Sequence, residues 1–167
     1  MSHLPDLVES LLDDDGSCRD LNFESPTWPG VEALLAAFEV TCGAASGCDQ
    51  QGESLDGPLA EAAVAAARGG RHVSLDFGDC SGPIKNLQAF VCAEKNGAPF
   101  VEITFFPTDV VRSETLRSDF IAWAAKLQSL LEARRIYARY ENVSWRLGDT
   151  QPGAGVFWVG EEAVPHA

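Results

Sequence analysis

Leu87-Gln88-Ala89-Phe90-Val91-Cys92-Ala93-Glu94 and Phe100-Val101-Glu102-Ile103-Thr104-Phe105-Phe106 are two strand-like runs set around Lys95-Asn96-Gly97. An Asn-Gly step between apolar runs favours the tight turn that joins antiparallel strands, so the stretch reads as a hairpin. Just upstream, His72-Val73-Ser74-Leu75-Asp76-Phe77 alternates apolar and polar residues strictly, the period of a strand with one wet face. Gly78-Asp79-Cys80-Ser81-Gly82-Pro83 joins the two as a turn or short loop. The meander over 72–106 is the anchor of the fold.

Downstream, Leu116, Phe120, Trp123, Ala124, Leu127, Leu130 and Leu131 fall on one stripe, which predicts a long helix over 114–135. A closing strand pair over 137–160 follows: Tyr137 to Leu147, then Val156 to Val159, joined by a Gly-rich turn over 148–155. Upstream, Leu4, Leu7, Val8, Leu11 and Leu12 have helical spacing, and Leu21-Asn22-Phe23 reads as a short strand. Thr27 ahead of Trp28-Pro29 is a hydroxyl cap with Pro in the first turn, and Val31, Leu34, Leu35 and Phe38 continue that helix. Thr41 to Pro58, rich in Gly, Ser, Asp and Gln, reads as a surface loop, and the Ala-rich run Leu59 to Arg68 as a helix stopped by Gly69-Gly70. The expectation is a single α+β domain over 1–167, with an acidic helical third over 1–70. Its sheet should be mainly antiparallel, of about five or six strands, with helices packed on one face.

Charge is distributed unevenly. The first 61 residues hold thirteen acidic side chains and one basic one, Arg19; the remaining 106 hold twelve acidic and eleven basic. A field of one sign concentrates and orients partners of the other, so a cationic protein surface is the first partner to expect. Nucleic acid is excluded on the same ground, because phosphates need Lys and Arg to neutralise them. No apolar run is long enough for a membrane span, and the N-terminus has neither the positive nor the apolar region of a secretory signal; a cytoplasmic location is expected. Five Cys with no C-x-x-C pair suit free thiols in a reducing compartment, with Cys92 buried in its strand and a Cys42–Cys48 disulfide disfavoured.

Catalytic and cofactor patterns are thin. His3 and His166 lie near the chain ends, and His72 stands at a strand end without a placed partner. Zinc spacing is missing; Asp13, Asp15, Ser17 and Glu24 match four positions of a calcium loop, but Cys18 stands where its sharp turn needs Gly. Gly153-Ala154-Gly155 leads into a strand rather than a helix, so it is not a phosphate loop. The expectation is therefore no enzyme, no cofactor and no metal. Two segments stand out. In Asp13 to Glu24 five carboxylates flank a Gly turn, and in Arg139 to Arg146 neither strand face is cleanly apolar. The second pattern belongs to an edge strand, or to a face carrying a polar network or binding patch. Tyr, Trp and Arg are the residue types that anchor protein interfaces.

With this profile the chain resembles the immunity proteins that partner bacterial polymorphic and contact-dependent toxins. The likeness rests on Gly16-Ser17-Cys18-Arg19-Asp20-Leu21-Asn22-Phe23 and Arg139-Tyr140-Glu141-Asn142-Val143-Ser144-Trp145-Arg146, together with the small acidic α+β character. It implies inhibition by occlusion of a toxin domain, many of which are nucleases with cationic clefts. The charged contacts would be Asp13, Asp14, Asp15, Asp20 and Glu24, with Asp49, Glu53 and Asp56 in the predicted loop. Tyr140 and Trp145 are candidate aromatic contacts, and Trp28 is either an anchor or a core staple. An adaptor or chaperone for a secreted effector fits the same composition, and a third alternative is a small-ligand-binding domain or enzyme using His72 and the Arg139–Arg146 strand.

Overall fold

The chain runs α1 (Leu7–Leu12), β1 (Arg19–Glu24), α2 (Trp28–Thr41), β2 (Cys42–Asp49), α3 (Leu59–Arg68), β3 (Val73–Cys80), β4 (Leu87–Ala93) and β5 (Pro99–Phe105). After a short 3-10 turn at Pro107–Asp109 come α4 (Leu116–Leu130), β6 (Arg135–Tyr140) and β7 (Val156–Val159). This is a computed structural model, which describes residues 4–141, 145–150 and 154–164. All seven strands join in one antiparallel sheet of order β2-β3-β4-β5-β1-β6-β7. The α+β class and antiparallel sheet are as the sequence predicts, but the sheet has seven strands rather than five or six.

Local chemistry explains most of the boundaries. The Asp6 carboxylate accepts from Glu9 N to start α1, and the Thr27 hydroxyl accepts from Gly30 N to start α2, with Pro29 in the first turn. Gly97, at φ 83°, supplies the left-handed residue that turns β4 into β5. The meander registers Val73 against Val91 and Val91 against Val101, so the apolar residues of all three strands share one face.

Two departures concern Cys42. The stretch Thr41–Pro58, expected as a loop, contains the edge strand β2, which follows α2 without a linker. Small residues such as Gly43, Ala44, Ala45 and Ser46 carry little strand propensity, and pairing along β3 from Cys42↔Cys80 to Asp49↔Val73 overrides it. Cys42 is disulfide-bonded to Cys80, its cross-strand partner, with Cα atoms 3.8 Å apart, so the expectation of free thiols fails for this pair. The sequence places Cys80 in a turn, but β3 extends through it. Cys92 is half-buried rather than buried. The long helix starts at Leu116 and ends at Leu130, because Glu132 takes a left-handed conformation (φ 55°) and Arg135 already belongs to β6. Of the predicted strand 137–147, β6 ends at Tyr140 and residues 145–150 are not extended pairing; residues 142–144 lie outside the described residues.

The core lies between the sheet and the helices. Phe38 of α2 meets Phe77 of β3 at 5.1 Å between ring centroids, and Phe120 of α4 meets Phe105 of β5 at 6.4 Å. Leu34, Leu35, Leu75, Ile103, Phe120 and Ile136 are fully buried there. Gly30 lets α2 press against the end of α4: a Cβ at that position would collide with the Leu131 carbonyl. Among the described residues, no helix covers the opposite face of the sheet.

Candidate functional site

β1 is the fifth strand of seven, which places its alternate side chains in the middle of that helix-free face. Asp20 stands opposite Thr104 on β5 and Arg139 on β6, and Asn22 opposite Glu102 and Tyr137. Side chains at these paired positions project to the same side of the sheet. They form one polar network. Thr104 donates to Asp20 Oδ1 at 2.8 Å, Asn22 Nδ2 donates to Glu102 Oε2 at 2.8 Å, and Arg139 Nε donates to Asn22 Oδ1 at 2.9 Å. The Arg139 guanidinium lies 3.4 Å from Asp20 and 4.0 Å from Glu102.

Asp20 is only 2% exposed. Burial pushes its carboxyl up to about 6, with the Glu102 carboxylate adding to the rise, against the pull of the Thr104 hydroxyl and Arg139. Trp145 caps the network: its ring lies 5.4 Å from Tyr137 and 5.2 Å from the Arg139 guanidinium carbon, and its indole N–H donates to the Asp149 carbonyl. Between Trp145, Leu147 and the β4–β5 turn a cleft of about 480 Å³ opens, with Phe100, Glu102 and Arg139 in its wall. The mixed faces of the Arg139 segment thus come from a polar network on an interior strand, since β6 lies between β1 and β7.

The acidic loop before β1 is organised around Arg19, whose side chain is fully buried. Arg19 Nε donates to the Ser10 carbonyl at 2.7 Å, Nη1 to the Ser17 carbonyl at 3.1 Å, and Nη2 to the Asp13 carbonyl. Its guanidinium carbon sits 4.1 Å from the centre of the Tyr140 ring, which faces the helix side and packs edge-on against Phe157. Asp15 accepts from the Ser17 hydroxyl and N–H and lies 3.3 Å from Arg19. These hydrogen bonds from Ser17, then Arg19, hold its carboxyl down at about 2. Asp13 and Asp14 point to solvent. The calcium-loop spacing does not close, because a guanidinium occupies the centre of the loop and Glu24 is at the far end of β1.

The remaining predicted contacts are dispersed. Glu24 accepts from the Tyr137 hydroxyl at 3.1 Å and pairs with Arg134. Asp49 ends β2, four strands from β1, about 19 Å at the usual strand spacing. It is 5% exposed and pairs with Arg71 at 3.0 Å. Burial works to raise its pKa, but the Gln51 and Glu53 N–H groups and Arg71 outweigh it and hold the group low. Glu53 and Asp56 are exposed in the turn and loop that follow. Trp28 is half-buried, donates to the Gly97 carbonyl at 3.0 Å and lies under the Arg68 guanidinium. His72 is exposed at the start of β3.

Sequence reasoning missed Asn22, Glu102 and Thr104. The available signal was Glu102 and Thr104 recurring at period two inside an otherwise apolar strand.

No family model matches the sequence, and neither does any curated protein. Among solved structures, a chain in the 1.75 Å crystal structure of the toxic C-terminal tip of CdiA from Pseudomonas aeruginosa in complex with immune protein is similar in fold. The TM-score is 0.58 at 12% identity, over 89% of this chain and 97% of that one. At this identity the likeness shows a shared fold.

Proposed function

We propose that this chain is an immunity protein, which binds a cognate toxin domain and neutralises it without catalysis by covering its active site or an adjacent surface. The observation that carries the reading is the fold likeness to a chain of a toxin–immune protein complex across nearly the whole of both chains. The formal charge of −13 supports the immune role over the toxic one: it suits a protein that docks on a cationic domain. Complementary charge also speeds capture, to about 10⁸–10⁹ M⁻¹s⁻¹ at low salt in favourable cases.

The exposed carboxylates Asp13 and Asp14, in the loop ordered around Arg19, serve to steer the partner. Asp20 and Asp49, buried and paired, act by holding the framework. The test is to mix the purified chain with a purified toxin domain, the candidate being the C-terminal domain of any large secreted protein found in a neighbouring reading frame. An equimolar complex on gel filtration, with the toxin's activity abolished, is expected. A stable complex in which the toxin stays active would make the chain a carrier instead.

A further inference from the structure

The cleft beside Trp145 has walls of two chemical kinds. Phe100 and Trp145 are half-buried and Leu147 is 53% exposed, a sizeable apolar rim for the helix-free face. Among the described residues lining the cleft, the charged groups are Glu94, Glu102 and Arg139, and Asp20 lies directly behind. One guanidinium therefore faces three carboxylates. Glu102 commits Oε2 to Asn22, and its Oε1 has no hydrogen-bond partner among the described residues. Glu102 is 23% exposed, so this oxygen is open to the cleft as an acceptor for an incoming N–H group.

We propose that this cleft receives an arginine side chain from the toxin domain, its guanidinium on Glu102 and Glu94 and its methylenes against Phe100, Trp145 and Leu147. The proposal rests on the immunity reading and adds the group that is recognised. Arginine suits the site better than lysine: its planar fork donates to a carboxylate while its weakly hydrated face lies on aromatic rings. Its aliphatic stem covers the apolar rim, and the surplus negative charge opposes an acidic side chain in the same place.

The experiment is a nuclear magnetic resonance titration of the nitrogen-labelled full chain with N-acetyl-arginine amide. N-acetyl-glutamate amide and N-acetyl-norleucine amide are the comparison probes. Saturable shifts of the Trp145 indole N–H and the Asn22 side-chain amide are expected with the arginine probe alone, with the indole of Trp123, which packs on Phe120 on the helix side, unmoved as an internal control. Glu102→Gln keeps the acceptor for Asn22 and should weaken the arginine probe about tenfold, the loss of a charge-assisted hydrogen bond. Equal shifts with all three probes, or none at Trp145, overturn the proposal, and the wild-type titration decides this without any variant. The same preparation is mixed with the toxin domain. Complex formation without an arginine-selective response removes the cleft and leaves the immunity reading standing. An arginine-selective response without complex formation retains the cleft and removes that reading.

Discussion

Arg139 Nη2 lies 3.4 Å from Asp20 Oδ2 across the β1–β6 pair, and the two side chains are 11% and 3% exposed. A pair so deeply placed on a sheet face without helices is unusual, because desolvating two charges costs more than their attraction returns unless further hydrogen bonds compensate. Here Thr104 and Asn22 supply them. The network makes the helix-free face rigid and anionic around one fixed guanidinium, and Trp145 lies against it.

The Asp20 carboxyl sets a pH dependence of stability. Its folded value of about 6 stands above the ordinary 3.8, so between those values the folded chain binds more protons and stability falls as pH rises. Asp15, held at about 2, works the other way: its contribution is present above 3.8 and is lost as pH falls toward 2. Urea unfolding at about pH 4.5 and about pH 7.5 should show wild type losing about 2 kcal/mol more than Asp20→Asn over that interval. Parallel slopes for the two proteins would contradict the burial of an ionisable Asp20.

Arg19 should be intolerant of replacement. Arg19→Met removes the donors that satisfy the Ser10, Asp13 and Ser17 carbonyls and should cost about 3–5 kcal/mol, read as a large drop in melting temperature. Arg19→Lys should recover little of it, because one ammonium cannot reproduce the fork or the stacking on Tyr140. Full recovery by Lys would show that only the charge matters.

The Cys42–Cys80 disulfide closes a sequence separation of 38 residues, for which loop entropy gives a stabilisation of about 2–4 kcal/mol. Cys42→Ser with Cys80→Ser, or wild type in excess dithiothreitol, should lose that amount in urea unfolding while the sheet still forms.

Removing charge from Asp13 and Asp14 should slow association with the toxin domain and flatten its salt dependence, with stability changed by less than about 0.5 kcal/mol. Adding Asp15→Asn should then cost stability, because Asp15 orders the loop with Ser17 and Arg19. Stopped-flow rates at low and high ionic strength check the first part, and thermal melts the second. Unchanged rates at low salt would take this pair out of the steering role.

The meander was legible because Asn96-Gly97 and the strict alternation from Val73 to Phe77 are short-range signals, and the caps at Thr27 and Pro29 were legible for the same reason. β2 was not, since Gly43 to Ser46 has no preference of its own and is a strand only because β3 is there to pair with it. The Cys42–Cys80 bond depends on that pairing and was hidden with it. The site was half legible. The mixed faces around Arg139 pointed to a polar network, but its partners Asp20, Asn22, Glu102 and Thr104 are 35–119 positions away in sequence, brought together only by strand order. The acidic N-terminal third was plain in composition, yet composition does not reveal that Asp20 and Asp49 are buried while Asp13 and Asp14 are not.

Growth decides whether the chain protects against a toxin. Cells induced to make the candidate toxin domain should stop growing, and should resume when the chain is co-produced. Protection should fall when Glu94→Gln and Glu102→Gln are combined with replacement of Asp13 and Asp14 by Asn. Continued growth arrest in the presence of abundant folded wild-type chain would contradict the immunity reading outright.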